Sequence, residues 1–280
     1  MTNVKQAGRL PKFRTLPHRG EPILRTRIGE CFQGRKTMMP RDNGLLGSLP
    51  LPDFEQVAPH LQPCVLRQGL AFGESAAFDR HLCFITRGIA ATSSLLENGD
   101  TMMVALAGRE GVVGIPLLLA GPGAHDRATV IAAGQGWRLN VDLVRDDRHR
   151  FAALRSLLLA YTQALIEQIA QGAACNRHHS LEQRLCRCML ECMDRLPGND
   201  IAVTHQSVAE MLGARRESVS EALGRLEAGR LVHCGRGHIT VLDRPGVQAR
   251  ACECYRAVRD AHRRLLWPRE REDADRMVAA

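Results

Sequence analysis

Between positions 212 and 223 the chain reads Leu212-Gly213-Ala214-Arg215-Arg216-Glu217-Ser218-Val219-Ser220-Glu221-Ala222-Leu223. Guanidiniums, carboxylates and hydroxyls alternate there with apolar residues: Val219, Ala222 or Leu223, and Leu226 recur at helical spacing. Arg216, Glu217, Ser220 and Glu221 therefore share the opposite face of one short helix. Such a face does not assemble a nucleophile, a base and an orienting group; it presents donors and acceptors, the chemistry of recognition. Elsewhere the chain lacks the G-x-S-x-G, H-E-x-x-H and G-x-x-x-x-G-K-[ST] patterns, so an enzyme is not expected.

The elements around this face tell what it would recognise. Upstream, Thr204 precedes a short helix with apolar Val208, Met211 and Leu212, and Gly213 supplies the left-handed residue of a tight turn. Downstream, Leu231-Val232-His233-Cys234, Gly235-Arg236-Gly237 and His238-Ile239-Thr240-Val241-Leu242 read as a hairpin. Two short helices joined through glycine and followed by a hairpin are a winged helix-turn-helix, whose second helix has the width of a DNA major groove. Net charge does not argue for DNA, because residues 201–243 carry five basic and five acidic side chains. Placement does, because Arg215 and Arg216 fall on the reading helix and Arg236 on the wing tip, where phosphates and guanine edges would lie. The alternative is an effector-binding scaffold or protein-interaction module that uses the same unit without DNA.

The rest of the 280 residues divides by pattern. Residues 1–40 hold nine basic and two acidic side chains, with Pro11, Pro17, Pro22 and Pro40 among them, so residues 1–44 read as a disordered basic tail. The prolines argue against an amphipathic presequence, and no apolar run follows the basic start. Residues 45–142 are short apolar runs broken by Gly and Asp: Cys64–Leu66, His81–Ile85, Met102–Leu106, Ala128–Ala132 and Trp137–Val141, with an Asn98-Gly99-Asp100 hairpin turn. This predicts a β-roll. Residues 143–178 predict a long helix in which Phe151, Leu154, Leu158, Tyr161 and Leu165 follow a heptad step, suited either to packing on the chain's own roll or to a parallel dimer. Residues 179–245 then hold the winged unit, opened by a helix that the pair Ser180 and Gln183 would cap and Pro197-Gly198 would stop. Residues 246–280 form a C-terminal helical tail. The expected class is α+β.

Ten cysteines without an export signal point to a reducing cytoplasm. Cys188 and Cys192 share a helix face with Cys186 nearby, but no C-x-x-C pair occurs, so these read as small core residues and no metal is expected. No stretch is apolar enough to span a membrane.

The Leu212–Leu223 run, Leu226-Glu227 and the Gly235-Arg236-Gly237 wing resemble the DNA-binding domain of the CRP/FNR superfamily of bacterial transcription regulators, and the order roll, long helix, winged helix agrees. The resemblance covers roughly residues 45–245. It implies a homodimer on a pseudo-palindromic operator in double-stranded DNA, with RNA polymerase as a candidate contact. Base-reading positions of the family fall on Arg216, Glu217, Ser220 and Glu221; Glu221 departs from the Arg common there. Arg216 would clasp guanine O6 and N7 while Glu217 accepts from cytosine. Phosphate-holding positions fall on Thr204, His205, Gln206, Arg215, Ser218 and Arg236. The family's cyclic-nucleotide cassette maps onto Gly114 and Arg127, but Ile115 stands where a Glu should accept the ribose hydroxyl, so cyclic nucleotides are disfavoured and no cofactor is expected. The iron-sulfur sensor is not supported, because Cys31 alone lies near the N-terminus.

Overall fold

A computed structural model of the chain describes residues 38–97, 101–121, 128–147 and 149–266. Residues 38–44 belong to the folded unit, whereas the sequence reading ended a disordered tail at position 44. The cause is Asn43, which is fully buried: its Nδ2 donates to the carbonyls of Ile85 and Gly111, both at 2.8 Å, and its Oδ1 accepts from Leu45 N and Leu46 N. One side chain thus caps helix α1 (Gly44–Ser48) and pins it to a long strand of the roll and to the loop at Gly111. Helix α2 (Leu51–Val57) follows.

The roll comprises β1 (Gln62–Leu66), β2 (His81–Leu95), β3 (Thr101–Ala107), β4 (Val112–Val113), helix α3 (Ile115–Ala120) and β5 (Ala128–Asn140). Strand order is β1-β5-β2-β3, with β4 also paired to β2, and every pairing is antiparallel. The runs Ala128–Ala132 and Trp137–Val141, read separately in the sequence, are mostly one strand. The glycines between them are not breaks but close approaches: a Cβ at Gly134 would lie 1.9 Å from the Arg87 carbonyl oxygen, and one at Gly136 would lie 2.5 Å from that of Phe84. Beside them the β2–β5 register slips at Arg87 and Ile89, which coils the long pair so that it encloses Leu66, Phe72, Phe78, Ile85 and Val130. The Asn98-Gly99-Asp100 turn lies outside the described residues, although Leu95 pairs with Thr101 on either side of it.

The helix expected over 143–178 is two: α4 (Val141–Asp146) and α5 (Ala152–His178). Asp147 parts them, because its Oδ1 accepts from Arg150 N at 3.0 Å and turns the chain before α5 can start. Helix α6 (Leu181–Arg195) begins on the expected capping box, with Gln183 N donating to Ser180 Oγ and Ser180 N to Gln183 Oε1. It leads into β6 (Asp200–Ile201), α7 (His205–Leu212), α8 (Arg216–Ala228), β7 (Val232–Gly235) and β8 (His238–Val241), and the chain closes with α9 (Arg244–Arg250) and α10 (Cys254–Leu266).

Helix α6 is buried on nearly every side between roll and winged unit, and one continuous apolar core runs from Ile89, Met103 and Leu106 of the roll through Leu185, Met189 and Leu190 to Val219, Leu223 and Ile239. The last residue of α6, Arg195, is buried. Its Nε donates to Glu110 Oε1 at 2.7 Å and its Nη1 to the Glu191 carbonyl at 2.8 Å; Gly108 is compelled, because a Cβ there would meet the Arg195 side chain at 2.7 Å. Burial pushes the Arg195 pKa down, but Glu110 and Glu191 outweigh it and raise it above the usual range. Removing one partner of a buried pair strands the other charge, so Glu110→Ala should lower unfolding free energy by about 3–5 kcal/mol in urea titration. A loss under about 1 kcal/mol would mean that the pair behaves as a surface bridge.

Candidate nucleic-acid interface

The reading helix is built from beneath. Val219, Ala222, Leu223 and Leu226 of α8 are all fully buried, while Arg215, Arg216, Glu217, Ser218 and Glu221 are exposed. Gly213 takes φ 57°, the left-handed conformation that turns α7 into α8 within three residues. Thr204 accepts from Ser207 N at 3.0 Å and so caps α7. The Arg184 guanidinium of α6 donates to the Leu212 carbonyl, which satisfies the other end of α7.

The structure brings most of the sequence-derived contact residues to one surface. Arg215, Arg216 and Glu217 occupy the N-terminal start of α8, where free backbone N–H groups favour an anion. Glu221 lies one turn on from Glu217. Ser220 is half-buried, and its Oγ sits 2.9 Å from His205 Nδ1. This contact crosses the two helices, so in the free protein Ser220 serves to orient the His205 ring and does not stand open beside Arg216. Gln206 is exposed and donates to Glu210 at 2.9 Å. Arg236 sits exposed at the two-residue tip of the β7–β8 hairpin, where Gly237 takes φ 80°. Residue Glu227 was missed: its Oε1 accepts from Cys234 N at 2.9 Å and lies 3.0 Å from His233 Nδ1, tying the end of α8 to the wing. The Cys234 backbone N–H is the main reason its carboxyl is held below the usual range, with His233 adding to it. The pattern Leu226-Glu227 was visible in the sequence, but a polar residue at a helix end has many uses.

The heptad seam is placed differently from the dimer alternative. Phe151, Leu154, Leu158 and Tyr161 are at most 2% exposed, and they pack into the chain's own core with Leu45, Leu46, Phe84 and Leu266. Leu165 is partly buried against the same cluster. This is the packing on the chain's own roll that the spacing also allowed; α10 adds to it by returning from the winged unit along α5, Arg264 donating to Glu167 at 2.8 Å and the Tyr161 and His262 rings meeting edge to face. Phe151, Leu154, Leu158 and Tyr161 are thus taken up within the chain, and Leu165 keeps a partly open side. What α5 exposes is a different stripe, on which Leu159 is 46%, Ile166 55% and Ile169 36% accessible.

Of the effector cassette, Gly114 stands at φ 107° as the N-cap of α3, and a Cβ there would lie 2.7 Å from the His81 carbonyl oxygen. Ile115 points into the core under the roll at 4% exposure. Arg127 lies outside the described residues. Among the described residues, no helix is long and apolar enough to cross a membrane.

Comparison with known proteins agrees with this geometry. Residues 183–250 match the Crp-like helix-turn-helix domain family. The chain is 27% identical over 169 residues to a global nitrogen regulator of Nostoc sp., a match spanning 56% of this chain and 75% of that protein. Among solved structures, a Crp/Fnr-family transcriptional regulator from Eubacterium rectale superposes with TM-score 0.58 at 16% identity, covering 74% of this chain and 96% of the other. FixK2 from Bradyrhizobium japonicum gives TM-score 0.58 at 17% identity, covering 69% and 98%. Residues 183–250 thus carry a Crp-like helix-turn-helix domain, and the β-roll, long helix and winged unit around it follow the fold of Crp/Fnr-family regulators of known structure.

Proposed function

We propose that the protein binds a pseudo-palindromic DNA site as a homodimer, each protomer inserting the start of α8 into the major groove and resting its wing on the flanking backbone. The observation that carries this reading is the segregation of α8, fully apolar beneath and presenting Arg215, Arg216, Glu217, Ser218 and Glu221 to solvent at its N-terminal half. In this reading Arg216 takes guanine O6 and N7, Glu217 accepts from a cytosine amino group, and Glu221 disfavours a guanine at its position. Thr204, His205, Gln206, Ser218, Arg215 and Arg236 hold phosphates.

Dimerisation is assigned to the exposed stripe of α5. Leu159, Ile166 and Ala173 are spaced by sevens, with Ile169 and Ala170 between, the a/d arithmetic of a parallel pair displaced around the helix from the buried seam. Two reading helices must reach half-sites about 34 Å apart, so tight binding depends on the pair. Ile166→Asp should give monomers in sedimentation and weaken operator binding, with circular dichroism unchanged. Leu158→Asp should instead disrupt the fold, because Leu158 is in the chain's own core. A dimer that survives Ile166→Asp at full affinity would contradict the assignment.

Arg216→Ala should lose about 1–3 kcal/mol on the cognate site in fluorescence anisotropy, with much less change on scrambled DNA. His205→Ala should weaken both alike. An unchanged cognate-to-scrambled ratio in Arg216→Ala would mean that another element reads the bases.

The roll is not a receptor for cAMP or cGMP in this reading. Its interior is taken up by Leu66, Phe72, Phe78 and Ile85, and the position that would hold a ribose hydroxyl is the buried, aliphatic Ile115. Calorimetry with either nucleotide at millimolar concentration should give no saturable heat. Saturable binding accompanied by a gain in operator affinity would overturn this.

A further inference from the structure

Four side chains that the DNA-binding reading leaves without a task converge where the long helix ends. Cys175 lies in the last turn of α5 and His179 immediately follows that helix; Cys252 and Cys254 flank the start of α10, after the winged unit. Their ligand atoms all lie within 4.8 Å of one another. Cys175 Sγ is 3.5 Å from Cys252 Sγ, and Cys254 Sγ is 3.5 Å from His179 Nδ1. The three thiols are almost wholly removed from water, at 0%, 4% and 0% exposure. Among the described residues these four are the group whose donors meet in this way.

We propose that Cys175, His179, Cys252 and Cys254 form a tetrahedral Cys3His site for a thiophilic divalent cation, zinc being the type, which staples the end of the long helix to the segment leaving the winged unit. The donor set is that of a closed structural zinc site. Its dimensions fit: with zinc-sulfur bonds of about 2.3 Å, neighbouring sulfurs of a tetrahedron stand about 3.8 Å apart, and sulfur–nitrogen edges are slightly shorter. The two contacts at 3.5 Å are already near these lengths, and the longest separation needs to contract by about 1 Å, within reach of a side-chain adjustment.

The surroundings argue for a metal over three packed thiols. With Nδ1 turned toward the sulfurs, the other ring nitrogen, Nε2, lies 3.2 Å from Glu253 Oε1. A carboxylate on the far nitrogen is the arrangement that fixes the tautomer and aim of a ligating imidazole, and neither core packing nor a disulfide has use for it. Gln171 Nε2 donates to Cys254 Sγ at 3.0 Å, an amide partner suited to a thiolate. Binding displaces protons from the thiols that still carry them, and the cation takes up the sulfur lone pairs; no electron changes hands. The consequence for the regulator is mechanical. The ligands come from both sides of the winged unit, so a bound ion limits how far that unit can swing from α5.

Cobalt(II) titration of the untagged, reduced full chain tests this. One equivalent should produce the intense near-ultraviolet band of thiolate-to-cobalt charge transfer and the visible bands of a tetrahedral ion, and one equivalent of zinc should abolish both. Cys254→Ser should lose the charge-transfer intensity in part or whole. Glu253→Gln, an exposed change that leaves all four ligands in place and the fold undisturbed, should weaken cobalt binding about 10- to 100-fold. A spectrum of weak octahedral bands in the wild-type chain would overturn the proposal. So would a Cys175–Cys252 disulfide in the mass spectrum of the untreated protein, or a Glu253→Gln affinity equal to wild type.

Discussion

Everything in this protein is organised around a helix that cannot choose a solvent side. Helix α6 is enclosed by the roll, the winged unit and α9–α10, and the arginine that ends it must be held dry. A charge in that position is tolerable only with its partners fixed, so Glu110 of the roll, the Glu191 carbonyl and the glycine at 108 form one arrangement with little freedom. The Glu110–Arg195 pair is a direct contact between the roll and the helix that leads into the winged unit. The loop bearing Glu110 lies between β3 and β4, in the same segment that leads to Gly114.

The second constraint is the return of α10. It carries the chain from the winged unit back along α5, with Tyr255 Oη donating to Asp194 at 2.9 Å and Arg244 paired with the same carboxylate. By covering one stripe of α5 it leaves a different stripe, centred on Leu159 and Ile166, open to a second copy. In the proposed dimer a partner helix would take that open stripe, while Leu158 and Tyr161 are already buried within the chain, Tyr161 against the His262 ring.

The winged helix was legible in the sequence because its signals are local. Thr204, Gly213 and the Val219–Leu226 spacing each act within a few residues of themselves, and the turn at Gly235-Arg236-Gly237 is set by its own glycines. The strands of the roll were legible as apolar runs, but Gly134 and Gly136 were read as breaks; whether a glycine marks a turn or a close backbone approach depends on a strand fifty residues away. The seam from Phe151 to Tyr161 had the right period for burial and no means of naming its partner, since α10 lies about a hundred residues on. The thiol and imidazole cluster was invisible for the same reason. Reading cysteines by short spacing points to Cys188 and Cys192, which are core, whereas Cys175 meets Cys252 only through the fold. Asn43 shows the limit most plainly, a polar residue in an unpromising Pro- and Arg-rich stretch whose four hydrogen bonds hold the first helix to the roll.

In the proposed function the exposed start of α8 reads guanine edges in the major groove, twice per dimer. Methylation interference on a site selected from random-sequence DNA tests it most directly, because an N7 methyl group occupies the atom that Arg216 would contact. The account predicts two clusters of interfering guanines, their centres about one helical turn or roughly 34 Å apart and on one face of the duplex. Binding that is indifferent to guanine methylation, or a single cluster, would contradict it.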